Sequence, residues 1–208
     1  MHDNDGDNGS KPSHARLFEL ASEQGGYFTA AQARALGFSK ALLAHHAKSG
    51  RFLRVHQGLY RLREYPSSPR EDVVAAWLVT GREVAVVSHD SALDILGLSD
   101  VVPEVVHLTV PRVRRYRSAS PGVAIHTTTR RLGKSDVVVR DGIRVTAPAR
   151  SIIDAAQAGT APEQIMAAVS QALDRGMATE SKLLATAKAR GGRVERLVRQ
   201  AIQERSRK

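Results

Sequence analysis

The chain has 208 residues, no cysteine, 42% hydrophobic and 25% charged residues, and 31 Lys plus Arg against 21 Asp plus Glu, a formal net charge of +10. That length suits one or two domains with ordinary cores, and the lack of cysteine excludes disulfides, thiolate metal sites and a cysteine nucleophile. The longest apolar stretches, such as Val84–Val87, fall far short of the roughly 20 residues of a membrane span, and the acidic Met1–Ser10 lacks the apolar run of a secretory signal, so a cytoplasmic protein is expected.

The excess charge is unevenly spread. Residues 13–63 carry eight bases and two acids, a sum of +6, against −2 for 1–12 (one base, three acids), +2 for 64–150 (twelve and ten) and +4 for 151–208 (ten and six). A concentrated basic stretch of this kind points to a polyanionic partner.

In chain order, residues 1–12 are rich in Asp, Asn and Gly and read as a disordered leader. A helix is predicted from Ser13, with Leu17, Leu20 and Ala21 at helical spacing and Gly25-Gly26 as its stop. Tyr27-Phe28 is a short extended piece, Thr29 caps Ala30–Leu36, and Ser39 caps Lys40–Ser49, which Gly50 ends. Arg51–Val55 and Leu59–Leu62 flank the turn His56-Gln57-Gly58 and form a β-hairpin. Three helices followed by a hairpin is the order of a winged helix-turn-helix, assigned here to residues 13–63.

Residues 64–69 form a Pro/Ser linker, and residues 70–208 a second region. There Ser68-Pro69-Arg70-Glu71 opens a helix with Val73, Val74, Trp77 and Leu78 on its buried face, and Ser88 caps His89–Leu96. Strands are predicted at Val84–Val87, Val105–Val110, Val123–Thr127, Val137–Arg140 and Ile143–Thr146, the last two joined by the hairpin turn Asp141-Gly142. A helix starts at Pro148. Thr160-Ala161-Pro162-Glu163 is a capping box for the next, which ends at Gly176. Thr179 and Gly191-Gly192 bracket another, and Arg193–Arg207 closes the chain with Val194, Leu197, Val198, Ala201 and Ile202 on one stripe. The fold class is α+β: an N-terminal winged helix-turn-helix followed by a mixed α/β domain with a helical C-terminus.

In the third helix Leu43, His46 and Ala47 share the inward face, while Lys40, Ala41, Ala44, His45 and Lys48 point outward. A short basic face with small residues between suits the major groove. Ser39 at its amino end, Arg51 and Arg54 beside its carboxy end, and His56 and Gln57 at the hairpin tip complete the expected DNA contacts, most of them to backbone. A second basic cluster follows Pro111: Arg112, Arg114, Arg115 and Arg117 around Tyr116. It suits phosphate or an acidic partner face. The last helix sets Arg193, Arg196, Arg199, Arg205 and Arg207 against its apolar stripe.

No catalytic pattern is found. There is no H-E-x-x-H, no histidines at metal-ligand spacing and no phosphate-binding glycine loop. Ser88-His89-Asp90 spells triad letters as sequence neighbours, whereas triads assemble in space. Ser88 reads as a cap and His89 as a packing residue. Asp136 and Asp141 flank a hairpin without the acidic-x-Lys of a nuclease. No enzyme activity, cofactor or metal is expected.

The stretch Gly26-Tyr27-Phe28-Thr29-Ala30-Ala31-Gln32-Ala33, through Gly37-Phe38-Ser39 to Gly50–Tyr60, resembles the amino-terminal winged helix of AbiEi-family antitoxins of type IV toxin–antitoxin systems. Ser88–Leu93, Gly97–Asp100, Val106–Arg112, and Asp141–Thr146 with Pro148-Ala149-Arg150 and Asp154 are similar to later parts of that family. The resemblance spans residues 13–176. It implies a repressor that binds inverted repeats upstream of its own operon and antagonises a toxin of the nucleotidyltransferase class. An inverted-repeat operator needs two copies, which could assemble only on DNA. Two alternatives stand beside this reading: a stand-alone winged-helix regulator without a toxin, and a protein-binding antagonist with only non-specific DNA affinity. RNA binding through Arg112–Arg117 ranks third, because four Tyr, four Phe and one Trp supply few platforms for base stacking.

Overall fold

A computed structural model of the chain describes residues 11–114 and 121–207. Among them lie nine α-helices and two sheets, in two compact units that divide between Val79 and Thr80. The first is a winged helix-turn-helix and the second a mixed α/β unit with a helical C-terminus, so the architecture is α+β.

In the first unit three hydroxyl residues start the three leading helices. The Ser13 side chain accepts the Arg16 amide at the start of α1, His14–Ser22. Thr29 forms a reciprocal capping box with Gln32 at α2, Ala30–Ala35. Ser39 accepts the Leu42 amide at α3, Lys40–Lys48. Between α1 and α2, Gly26 sits at φ +87, and a Cβ there would lie 2.6 Å from the Tyr65 side chain. Both the backbone angle and the close approach demand glycine.

The wing joins β1 (Tyr27–Thr29), β2 (Phe52–His56) and β3 (Leu59–Leu62) in an antiparallel sheet of order β1-β3-β2. The register shifts between Arg54 and His56. Such a bulge bends and twists the strand. Leu17, Ala21, Phe28, Ala33, Phe38, Leu43 and Phe52 form one buried cluster under the three helices and the wing.

Helix α4, Glu71–Thr80, is expected from the sequence to open the second region, but all of it except its last residue, Thr80, falls in the first unit. The reason is polar as well as apolar. Glu71 accepts from the buried Arg61 guanidinium at 2.8 Å and from the Tyr27 hydroxyl at 3.2 Å. Arg61 also donates to the Tyr65 carbonyl at 2.8 Å and lies 5.7 Å from the Tyr27 ring centroid. Burial, followed by the Glu71 carboxylate, pushes the Tyr27 hydroxyl up to about 12.

The second unit carries β4 (Val86–Val87), α5 (His89–Leu96), β5 (Val106–Pro111), a 3₁₀ turn (Arg112–Arg114), β6 (Val123–Thr128), β7 (Val137–Arg140) and β8 (Ile143–Thr146). Helices α6 (Pro148–Ala158), α7 (Pro162–Asp174), α8 (Glu180–Lys188) and α9 (Gly192–Arg205) follow. The sheet order is β6-β5-β4-β8-β7, with β5 parallel to β6 and β4 parallel to β8. Asp141 and Gly142 take φ of 50° and 76°, the doubly positive turn that matches a hairpin's twist. Helix α6 is the hub: Ile152, Ile153, Ala155 and Ala156 are buried, and it packs against α5, α7 and α8. Thr160 does not cap α7. Ala161 holds the cap position, and the Thr160 hydroxyl donates to Asp90 at 2.6 Å instead. No helix among the described residues is long and apolar enough to cross a membrane.

Replacing Glu71 with alanine strands the Arg61 charge beside its remaining carbonyl acceptors. A loss of about 2–3 kcal/mol is expected in urea unfolding of the full chain, because a buried charge left without its partner keeps its desolvation cost. A loss under about 0.5 kcal/mol would show that the pair does not anchor α4.

Candidate functional site

Two polar surfaces stand out, one in each unit. In the first, α3 is seated by Leu43 and His46, both buried, while Ser39, Lys40, Ala41, Ala44, His45 and Lys48 are exposed. Arg51 and Arg54, with His56 and Gln57 at the wing, are exposed as well. The eight residues predicted to contact DNA are therefore all at the surface of the winged helix. Ser39 spends its oxygen on the Leu42 amide, which leaves its hydroxyl proton free to donate outward.

His46 works from the other side of α3. Its ring centroid lies 4.8 Å from that of Phe52 and 5.2 Å from that of His14, and its buried Nε2 has no hydrogen-bond partner among the described residues. Burial first, then the charges of His14, Arg51 and His45, hold its pKa below the ordinary value. It fills space as a neutral ring.

The second unit has a cavity of about 560 Å³ whose wall includes His89, His126, Arg112, Arg150, Asp154 and Arg190, with hydroxyls from Thr109 and Thr127–Thr129. Asp154 is buried and accepts from Arg150 Nε at 2.5 Å and from Arg190 at 2.7 Å. Three histidines converge beside it. His107 and His126 come from neighbouring parallel strands, in a register that pairs Thr109 with His126, and His89 opens α5. His107 Nδ1 and His126 Nε2 are 3.0 Å apart, and the His89 ring stacks on His126 with centroids 3.6 Å apart. Burial, helped by His126, His107, Arg150 and Arg190, lowers the His89 pKa to about 3. Burial also lowers His107 and His126, against the opposing pull of Asp90 on both and of Asp154 on His126.

This cluster cannot be read from the sequence. Ser88 stands at the cap position of α5 but makes no side-chain cap bond; its oxygen receives the Thr109 hydroxyl at 2.8 Å and lies 2.9 Å from His89 Nδ1. His89 is a member of the cluster rather than a lone packing residue. The one local signal is the spacing of Arg150 and Asp154, one helical turn apart. Of the second basic cluster, Arg112 is exposed and lines the cavity, Arg114 lies in the 3₁₀ turn, and Arg115 and Arg117 fall outside the described residues. On α9 Val194, Val198, Ala201 and Ile202 of the apolar stripe are buried and Leu197 is half-buried, and on the opposite face Arg199 pairs with Glu195 and Arg205 with Asp174.

A winged helix with an exposed basic third helix, joined to an α/β unit, is the build of a DNA-binding transcriptional regulator. Family models place it further. Residues 15–63 match the transcriptional regulator, AbiEi antitoxin, and residues 84–203 match the AbiEi antitoxin C-terminal domain. The chain belongs to the AbiEi antitoxin family, whose models describe a transcriptional regulator and an antitoxin. No curated protein matches the chain. Among solved structures, the crystal structure of the RV2827C protein from Mycobacterium tuberculosis is similar, with a TM-score of 0.61 at 11% identity, covering 95% of this chain and 80% of that one. At that identity the likeness is one of fold.

Two stability measurements test these sites. The lowered pKa of His46 means that its neutral form contributes fully above about pH 6.5, its ordinary value, and that the contribution is lost as pH falls below it. His46→Leu should keep or raise the melting temperature at pH 7, since an unpartnered buried nitrogen is removed, and should flatten the decline toward pH 5. An unchanged decline would exclude His46 as its source. Asp154→Ala leaves Arg150 uncompensated and should cost about 3–5 kcal/mol in urea unfolding; a cost below about 1 kcal/mol would mean the two arginines find other partners.

Proposed function

We propose that this chain is a DNA-binding antitoxin that represses its own operon through residues 13–63 and antagonises a nucleotidyltransferase-type toxin through residues 70–208. One observation carries the DNA half: α3 buries Leu43 and His46 and turns Lys40, His45 and Lys48 outward, with the small Ala41 and Ala44 between them on that face. Small residues let a helix approach base edges, and the flanking cations hold phosphates. In this reading Ser39, Arg51 and Arg54 fix the position of α3 along the backbone, and His56 and Gln57 at the wing reach the neighbouring strand or minor groove. Two copies occupy an inverted repeat, one on each half-site. Arg112, Arg114, Arg115 and Arg117 serve to bind the toxin or phosphate, and the family membership of residues 84–203 supports the antitoxin role of the second unit.

Fluorescence anisotropy with the gene's own upstream duplex and a scrambled duplex, at two salt concentrations, tests the DNA half. A preference of about 10³ at physiological salt is expected. The triple variant K40A/H45A/K48A should abolish that preference, and each cation removed from a phosphate should flatten the slope of log affinity against log salt by about one unit. Operator affinity unchanged in the triple variant, or equal salt-labile binding of the wild type to both duplexes, would overturn the assignment.

A further inference from the structure

We propose that His89, His107 and His126 form a site for a divalent transition-metal ion of the zinc class, with a remaining coordination position open to the adjoining cavity. Each histidine offers one ring nitrogen, and these atoms all lie within 4.8 Å of one another. His107 Nδ1 and His126 Nε2, at 3.0 Å, are close to the separation of about 3.3 Å that two imidazole nitrogens have on a tetrahedral zinc, given Zn–N bonds of about 2.0–2.1 Å. One N–H now bridges them. For an ion to enter, the donor ring moves its proton to its other nitrogen, both lone pairs then face the metal, and no net proton is released.

His89 supplies the third donor. Its Nδ1 lies 2.9 Å from Ser88 Oγ, which is itself held by the Thr109 hydroxyl. Such an outer partner selects the tautomer of a metal-binding histidine, and a proton held on Nδ1 leaves Nε2 as the ligand atom. The ring is stacked on His126 with an interplanar angle of 20°, so coordination requires it to turn about its Cβ–Cγ bond until the lone pairs converge. The backbone of His89 sits at φ +53, a strained conformation for histidine that persists where the surrounding structure determines it, often at functional sites.

The surroundings suit a cation with an anionic co-ligand. All three side chains bind a metal through a ring-nitrogen lone pair, as neutral imidazoles do, and none of them is ion-paired with a carboxylate in the salt bridges of the described residues. Asp90 and Asp154 face the cluster, and Arg150 and Arg190 face His89; both arginines are already tied to Asp154. Together with Arg112 on the cavity wall they favour an anionic oxygen, rather than a second cation, at the open position. An all-nitrogen donor set selects zinc, nickel, copper or iron over the oxygen-seeking calcium and magnesium.

The test is isothermal titration of the full chain, stripped with a chelator, with zinc chloride and separately with magnesium chloride. One zinc per chain with micromolar or tighter affinity is expected, and no magnesium. His107→Asn and His126→Asn should each weaken zinc at least 100-fold. No zinc binding by the wild type, or binding that survives both substitutions, would overturn the site. If neither variant folds by circular dichroism, histidine ring-nitrogen NMR of the wild type decides. One equivalent of zinc should move the resonances of His89, His107 and His126, whereas shifts confined to other histidines overturn the proposal.

Discussion

The packing of α3 onto Phe28, Phe38 and Phe52 governs what the first unit can offer a partner. The Phe28 and Phe52 rings meet edge to face at 5.0 Å, Phe38 lies 6.2 Å from Phe52, and His46 closes the seat at 4.8 Å from Phe52. Each such phenyl ring, fully buried, contributes about 1.5–3 kcal/mol through area alone, so rotating α3 about its axis would expose Leu43 and His46 at considerable cost. The outward direction of Lys40, Ala41, Ala44, His45 and Lys48 is the geometric remainder of that burial. The wing is coupled to the same cluster through Phe52 and the partly buried Tyr60 and Leu62, which sets the hairpin tip beside the helix.

The second unit is organised differently, with its polar chemistry inside. Ser88, His89, Thr109, Thr146, Arg150, Ser151 and Asp154 are all buried, and each is hydrogen-bonded: Thr146 to Ser151, Thr109 to Ser88, Ser88 to His89, and Arg150 to Asp154. A buried network of this kind is stable only when its members satisfy one another. It therefore specifies one arrangement of α5, β5 and α6. His89 belongs to that network on one side and, with His126, to the cavity wall on the other. An antitoxin fold with an outward basic helix in one unit and an inward polar cavity in the other has two separate places where ligand chemistry can act.

Capping shows where local reasoning succeeds and where it stops. Ser13, Thr29, Ser39 and Thr179 cap the helices they precede, because the competing groups lie within three residues of one another along the chain. Ser88 and Thr160 have the same local credentials, yet their hydroxyls go to Thr109 with His89 and to Asp90. A side chain in a buried setting bonds to whatever the fold brings near, and Asp90 lies 70 positions from Thr160.

The amino-acid sequence by itself determined most helices and strands and the faces of α3 and α9 that bury, since periodicity, caps and turn residues act over a few positions, while the family was legible in longer motifs such as Gly50–Tyr60 that resemble its members. The side to which α4 belongs, the interleaved order β6-β5-β4-β8-β7 and the meeting of His89, His107 and His126 were decided only by the tertiary structure. The last of these depends on a parallel register between β5 and β6 and on the packing of α5. Neither constraint leaves a mark on the spacing of three isolated histidines, because both are set by contacts between residues far apart in the chain.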